Sequence, residues 1–413
     1  MTPGLTRRLG TADAVVVGLS AMIGAGVFAA FAPAAAAAGS WLPVALALAG
    51  LVAYCNAISS ARLAALYPSS GGTYVYGRER LGDLWGFSAG WGFVVGKTAS
   101  CAAMALTFGA YVAPGHEKVF AVLAVAALTG LNLAGVQKSM PAARVIVAVV
   151  IVVLLAVVTA GMTGGGRSGG GTVPVDAWGV LQGAGLLFFA FAGYARIATL
   201  GEEVREPQRT IPRAVPIALG VTLVLYALVA FAVLGTLGPA QLAGSAAPLA
   251  DTVTAAGASW LSGVVRAGAA LATFGALLAL ILGVSRTTFA MSRGRHFPAV
   301  FDAVSERHGV PHRAELAVGV AVMVLVLLVD LRGAIGFSSF GVLVYYAIAN
   351  ASALTLGRRA VPAVGLAGCL LLAATLPRAS VLAGLVVFAV GALVWAAGRP
   401  RHGRAAPPSR QAR

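Results

Sequence analysis

The chain has 413 residues, 59% of them hydrophobic and 10% charged, with a net charge of +16 from 29 Lys and Arg against 13 Asp and Glu. A water-facing surface needs far more charge than this, which excludes a soluble globular domain. Apolar runs of about 20 residues, long enough to cross a bilayer, recur along almost the whole chain and make it an all-α polytopic membrane protein.

Residues 1–12 form a short tail. "MTPGLTRRLG" and the apolar run after it imitate a signal peptide. However, the run from Ala14 to Gly39 exceeds the about 7–15 residues of a signal h-region, so it is read as the first span. About twelve spans are expected in all, at roughly 13–38, 42–66, 84–113, 118–136, 141–163, 177–201, 211–237, 261–292, 313–330, 333–357, 361–376 and 379–397. The eleventh, "VPAVGLAGCLLLAATL", is short. "GGGRSGGGTVPVD" (164–176) reads as a flexible loop, and 398–413 as a disordered basic tail. Spans one to five (13–163) and six to ten (177–357) would form two halves, followed by the last two spans (361–397).

The basic excess follows topology. With the N-terminus in the cytoplasm, that side collects Arg7, Arg8, Arg62, Arg78, Arg80 and most later arginines, including those of the tail. The opposite side keeps Lys118, Arg167, Arg332 and Arg378. This is the positive-inside pattern, which puts both termini in the cytoplasm of a multi-pass plasma-membrane protein and gives no support to a nucleic-acid partner.

Cys55, Cys101 and Cys369 all fall within spans and read as small buried apolar groups. The five histidines lie in loops or the tail, and no P-loop, metal-ligand spacing or nucleophile motif appears. No cofactor or metal is expected, and an integral-membrane enzyme is the weakest reading. The sequence is silent on oligomeric state.

Two spans are weakened at their centres. "GLSAMIGAGVFAAF" (18–31) places Gly24 and Gly26 around Ala25 in span one, and "GLLFFAFAGYARIATLGEEV" (185–204) places Gly193 in span six. Glycine is a poor helix former, about 1 kcal/mol worse than alanine. Small residues in membrane helices also serve close packing, which is the competing explanation. Interruptions at matching positions of two halves point to a secondary transporter with inverted repeats. A broken helix presents main-chain amides and carbonyls at mid-membrane depth, where they are costly unless they meet a cavity or a polar ligand. The amides suit a carboxylate and the carbonyls an ammonium.

Charged residues inside or beside the spans are the other candidates. Lys97 lies within span three, where a lysine at bilayer centre costs at least about 2.5–3.5 kcal/mol and marks a functional site unless it snorkels to the interface. Arg196 follows the span-six glycine, with Glu202, Glu203 or Asp13 as expected partners. Glu202 and Glu203, beside Arg205, Arg209 and Arg213, suit a gate of ion pairs, while Asp13 at the start of span one is either a helix cap or part of that gate.

The chain resembles the amino acid–polyamine–organocation permeases along nearly its full length. The resemblance is carried by "GLSAMIGAGVF", "YPSSGGTYVYGRERLG" (67–82), "FFAFAGYARIATLGEEVREPQRTIPRA" (188–214) and "LILGVSRTTFAMSRGRHFP" (280–298). It implies a leucine-transporter-like fold: a 5+5 inverted repeat plus two helices, with spans one and six broken. It further implies that Gly24, Ala25 and Gly26 bind an amino acid carboxylate through their amides. The stretch Phe189, Ala190, Phe191, Ala192 and Gly193 would be unwound and offer carbonyls to the amino group. Many relatives carry a lysine in span five; counting from Gly135–Val136 lands here on Val150, inside "VIVAVVIVVLLAVV". Lys97 is then the candidate for proton coupling.

No acidic residue is placed at the middle of spans three, six, eight or ten, and Lys97 and Arg196 would repel a cation. Pocket walls are expected from Ile23, Phe189, Phe191, Ser100, Cys101, Met104 and Phe274. The expected activity is secondary active transport of a neutral amino acid by alternating access, coupled to protons or working as exchange. The alternatives are an exchanger or exporter of anionic or cationic substrates, or a non-transporting membrane sensor on the same scaffold.

Overall fold

The computed structural model describes residues 9–68, 71–135, 140–164, 174–199, 203–305 and 309–398. Lipid offers no hydrogen bonds to the main chain, so a chain this apolar satisfies its backbone within helices. In order these are α1 (Thr11–Met22), α2 (Gly26–Ala29), α3 (Phe31–Ala38), α4 (Leu42–Leu66), α5 (Thr73–Leu81) and α6 (Asp83–Val112). Then come α7 (Glu117–Leu133), α8 (Met140–Thr163), α9 (Ala177–Phe191), α10 (Ala195–Ala198), α11 (Pro207–Gly244) and α12 (Pro248–Ala255). The chain continues through α13 (Ser262–Arg293), α14 (His312–Leu328), α15 (Leu331–Leu354), α16 (Ala360–Thr375) and α17 (Arg378–Gly398). No strand occurs among the described residues; Leu9 and Val204 form one isolated parallel bridge.

Local chemistry sets several ends. Asp176 and Asp330 cap α9 and α15, their carboxylates accepting the Gly179 and Gly333 amides at 2.7 and 2.8 Å. Pro207 and Pro248 stand in the first turns of their helices, where a missing N–H costs nothing. Gly238, at φ 71°, breaks the 38-residue α11 just before Pro239, so only its first part is available to cross a membrane. Arg62 and Arg80 cover the end of α15, donating to the carbonyls of residues 355–358.

Among the described residues nine stretches are long and apolar enough to cross a membrane. The other three expected spans, α7, α14 and α16, have 17, 17 and 16 residues, about 24–26 Å at 1.5 Å per residue. That is at the lower limit for crossing the hydrocarbon core, so the exact number of twelve rests on the sequence reading. α6 and α15 are mostly buried and pack on each other at the centre, whereas α17 lies at the periphery with most of its surface open.

The helices of the two expected halves run parallel in length. Each half opens on an interrupted helix followed by a long one. A short helix comes next, α5 with 9 residues or α12 with 8. Then come α6 and α13 with 30 and 32 residues, α7 and α14 with 17 each, and α8 and α15 with 24 each.

Candidate functional site

Both interruptions lie at the central glycines. The α1 ladder ends where Ile23 N–H donates to Leu19 O at 2.8 Å, and bonding resumes with Phe28 and Ala29 N–H on Ala25 O, both at 3.1 Å. Residues 23–25 therefore separate α1 from α2. In the second half the helix tightens rather than opens. Phe189, Ala190 and Phe191 remain α-helical, contrary to the expected unwinding of 189–193, and the change falls on the 3₁₀ turn Ala192–Tyr194.

The two breaks face each other. A Cβ at Gly26 would stand 2.5 Å from Ala190 Cα, and one at Gly193 would stand 2.5 Å from the carbonyl of Ala21. At Gly24 the obstacle is Ala276 Cβ on α13, also 2.5 Å away. The same glycines therefore both interrupt the helices and bring their backbones together.

Buried side-chain donors meet carbonyls at and beside both breaks. The Tyr226 hydroxyl, on α11, lies 2.6 Å from Met22 O and 3.1 Å from Ala190 O, bridging the two breaks. Lys97 Nζ donates to Ala192 O at 3.2 Å, and the Tyr346 hydroxyl approaches the same oxygen at 3.4 Å from α15. Lys97 is 7% exposed and sits at the middle of α6, so it does not snorkel to an interface. An ammonium has three donors, of which one is accounted for here, and no carboxylate lies within 4 Å of it among the described residues.

Tyr226→Phe leaves Met22 O and Ala190 O without this partner. The expected result is a loss of about 1–3 kcal/mol of stability, read as a lowered unfolding midpoint in detergent, with weakened substrate binding. An unchanged midpoint would show that the bridge contributes nothing.

The other expected residues divide. Ile23, Ala25, Ala190 and Ala192 are buried at the paired breaks, and Phe189, Cys101 and Met104 are buried nearby in their helices. Ser100 turns to α15, its hydroxyl 2.6 Å from Ser338 Oγ. Phe191 packs on Tyr226 with ring centroids 5.2 Å apart, and the half-buried Phe274 packs on Phe108 at 5.6 Å.

Asp13 takes the capping place foreseen for it, and its ion pair is with α8 rather than with the residues after span six. It accepts the Gly10 amide at 3.1 Å as part of a cap and forms an ion pair with Arg144 on α8. Glu203 contributes its main chain: Leu9 N–H donates to Glu203 O at 3.1 Å and Arg205 N–H donates to Leu9 O at 2.9 Å, tying the residues before α1 to the segment that leads into α11. Glu202 lies outside the described residues. Arg196 has Glu203 and Arg286 as charged neighbours but no ion pair within 4 Å among the described residues, and Asp13 is engaged by Arg144.

Three residues of this interior escape a reading of the sequence: Tyr226, Tyr346 and Glu315. The tyrosines look like any aromatic in an apolar helix. Glu315 looks like a helix-end acid but is completely buried. Its signal is its phase, because it shares a face with the buried Val318, Gly319, Val322 and Val326.

Comparison with known proteins decides the family. The amino acid permease family matches residues 9–407. The chain belongs to the amino acid permease family. An uncharacterized transporter of Mycobacterium tuberculosis, Rv1999c, is 64% identical over 396 residues, 94% of this chain and 90% of that protein. The branched-chain amino acid permease BcaP of Bacillus subtilis is 26% identical, covering 95% of this chain and 92% of its own. Cationic amino acid transporter 2, vacuolar, of Arabidopsis thaliana is 29% identical over 85% of this chain and 60% of its own length. This permease is thus a membrane transporter of the amino acid class.

Proposed function

We propose that this permease is a secondary active transporter of a neutral amino acid, working by alternating access and coupled to protons through Lys97. The observation that carries the reading is the Lys97 ammonium held 3.2 Å from Ala192 O, at the break of the second half and beside that of the first. The amides of Gly24, Ala25 and Gly26 would receive the substrate carboxylate, and the carbonyls around Ala190 and Ala192 its amino group. The parallel helix lengths of the two halves, 13–163 and 177–357, favour an inverted repeat with the substrate between the breaks. The arginine distribution favours a plasma-membrane protein with both termini cytoplasmic.

The relatives' names span branched-chain and cationic amino acids, so the substrate's charge has to come from the site. A cationic side chain in a low-dielectric pocket needs a carboxylate. Asp13 is paired with Arg144, Glu315 is enclosed by α7 and α13, and the charge at the breaks is the positive Lys97. In proteoliposomes, uptake of a labelled neutral amino acid should be competed by leucine, alanine or serine and not by arginine or putrescine. Competition by arginine or putrescine alone would reject the neutral assignment.

A further inference from the structure

Glu315 is fully buried where α14 packs on α7 and α13. Asn132 Nδ2 on α7 donates to its Oε1 at 2.6 Å, and Ser285 Oγ on α13 contacts its Oε2. No cationic group lies within 4 Å of the carboxyl among the described residues. An ionised carboxylate in such a place lacks the charge partner that burial requires.

The hydrogen-bond geometry accommodates a neutral carboxyl. Ser285 has one hydroxyl proton, yet its oxygen lies 3.0 Å from Leu282 O as well as against Glu315. If the serine donates to Leu282 O, the contact with Glu315 is a bond only when the glutamic acid carries the proton and donates to Ser285. The donors around the carboxyl are then all used: Asn132 donates to Oε1, the carboxyl O–H to Ser285, and Ser285 to the main chain. On deprotonation Ser285 has to turn its proton from Leu282 O to the carboxylate. Asn132 Oδ1 and Thr129 Oγ1, one turn apart on α7, are buried without partners, and Thr129 Oγ1 lies against Gly319, one turn from Glu315 on α14.

We propose that Glu315 is a second proton-binding site of this permease, neutral while α7, α13 and α14 are packed together and releasing its proton when they part. Among the surrounding titratable groups Arg286 on α13 acts the other way, its charge favouring a carboxylate, but it is exposed, makes no ion pair with Glu315 within 4 Å and is screened by solvent. Cys101 on α6 is near enough to couple to the carboxyl, and α7 presents Asn132 and Thr129. The first turn of α14 itself carries His312 and Arg313, and Asp302, on the turn beside α14, is engaged by Arg293 at 3.6 Å. The inference extends the transporter reading, but its first test needs no transport.

That test is infrared difference spectroscopy of the purified full chain as pH is raised. A carbonyl stretch of a protonated, solvent-shielded carboxylic acid is expected at neutral pH, lost at high pH in the wild type and missing in Glu315→Gln. Ser285→Ala retains the carboxyl but removes its acceptor, so the band should persist and shift. Identical spectra for the wild type and Glu315→Gln, or an unshifted band in Ser285→Ala, would overturn the assignment. In proteoliposomes, Glu315→Gln should flatten the pH profile of uptake while uptake itself persists; a wild-type profile would exclude a role in transport whatever substrate is used.

Discussion

Lys97→Met is expected to collapse concentrative uptake while leaving exchange of internal for external substrate intact. One net charge moving inward yields about 2.3 kcal/mol per ~100 mV, enough for roughly fifty-fold accumulation of a neutral solute. Without a residue that carries the proton, the substrate only equilibrates and the ratio falls to about one. Lys97 also supports Ala192 O at 3.2 Å, so loss of this contact has to be separated from loss of the charge. Lys97→Gln does this, because a carboxamide can still donate to a carbonyl but cannot carry a proton. Both variants should fail to concentrate substrate under an imposed pH gradient. If Lys97→Gln accumulates substrate like the wild type, the lysine is a structural donor.

Gly26→Leu and Gly193→Leu are expected to abolish substrate binding and uptake. The first carbon of either side chain would fall 2.5 Å from the helix backbone that runs into the opposite break, closer than any van der Waals contact. The helices would have to separate, at a cost of about 1–3 kcal/mol or more. Bulk at Gly26 would also fill the place proposed for the carboxylate. The variants should still insert and elute as monodisperse protein, with a lowered unfolding midpoint and no ligand-induced shift. Undiminished transport in either one would remove the breaks from the mechanism.

How far the sequence was sufficient depends on whether a feature is local. The breaks are local: glycines in the middle of an apolar run mark them at 23–25 and 192–194. That the glycines also appose two backbones requires the packing of α1 on the 3₁₀ turn, which no single segment encodes. Lys97 is legible by its depth in α6, but its acceptor is supplied by another helix. The loop acids were harder. The sequence offers Asp13 as a partner for Arg196, and the fold pairs it with Arg144 instead. Glu315 stands in the first turn of α14 and resembles a solvated end residue, until its phase with Val318 and Val322 is considered. The twelve-span count depends on apolar length alone, and α7, α14 and α16 are close to the limit.

The central claim is that the paired breaks and Lys97 make this permease a proton-coupled carrier of neutral amino acids. Its most direct test is uptake of labelled leucine, alanine and serine into proteoliposomes holding the purified full chain, with and without an inward proton gradient. The account predicts accumulation of at least one of them above the external concentration, driven by the gradient and abolished by a protonophore. A protein that binds these amino acids, shown by a raised unfolding midpoint, yet moves none of them under any gradient or in exchange would contradict it and would identify a sensor on the same scaffold.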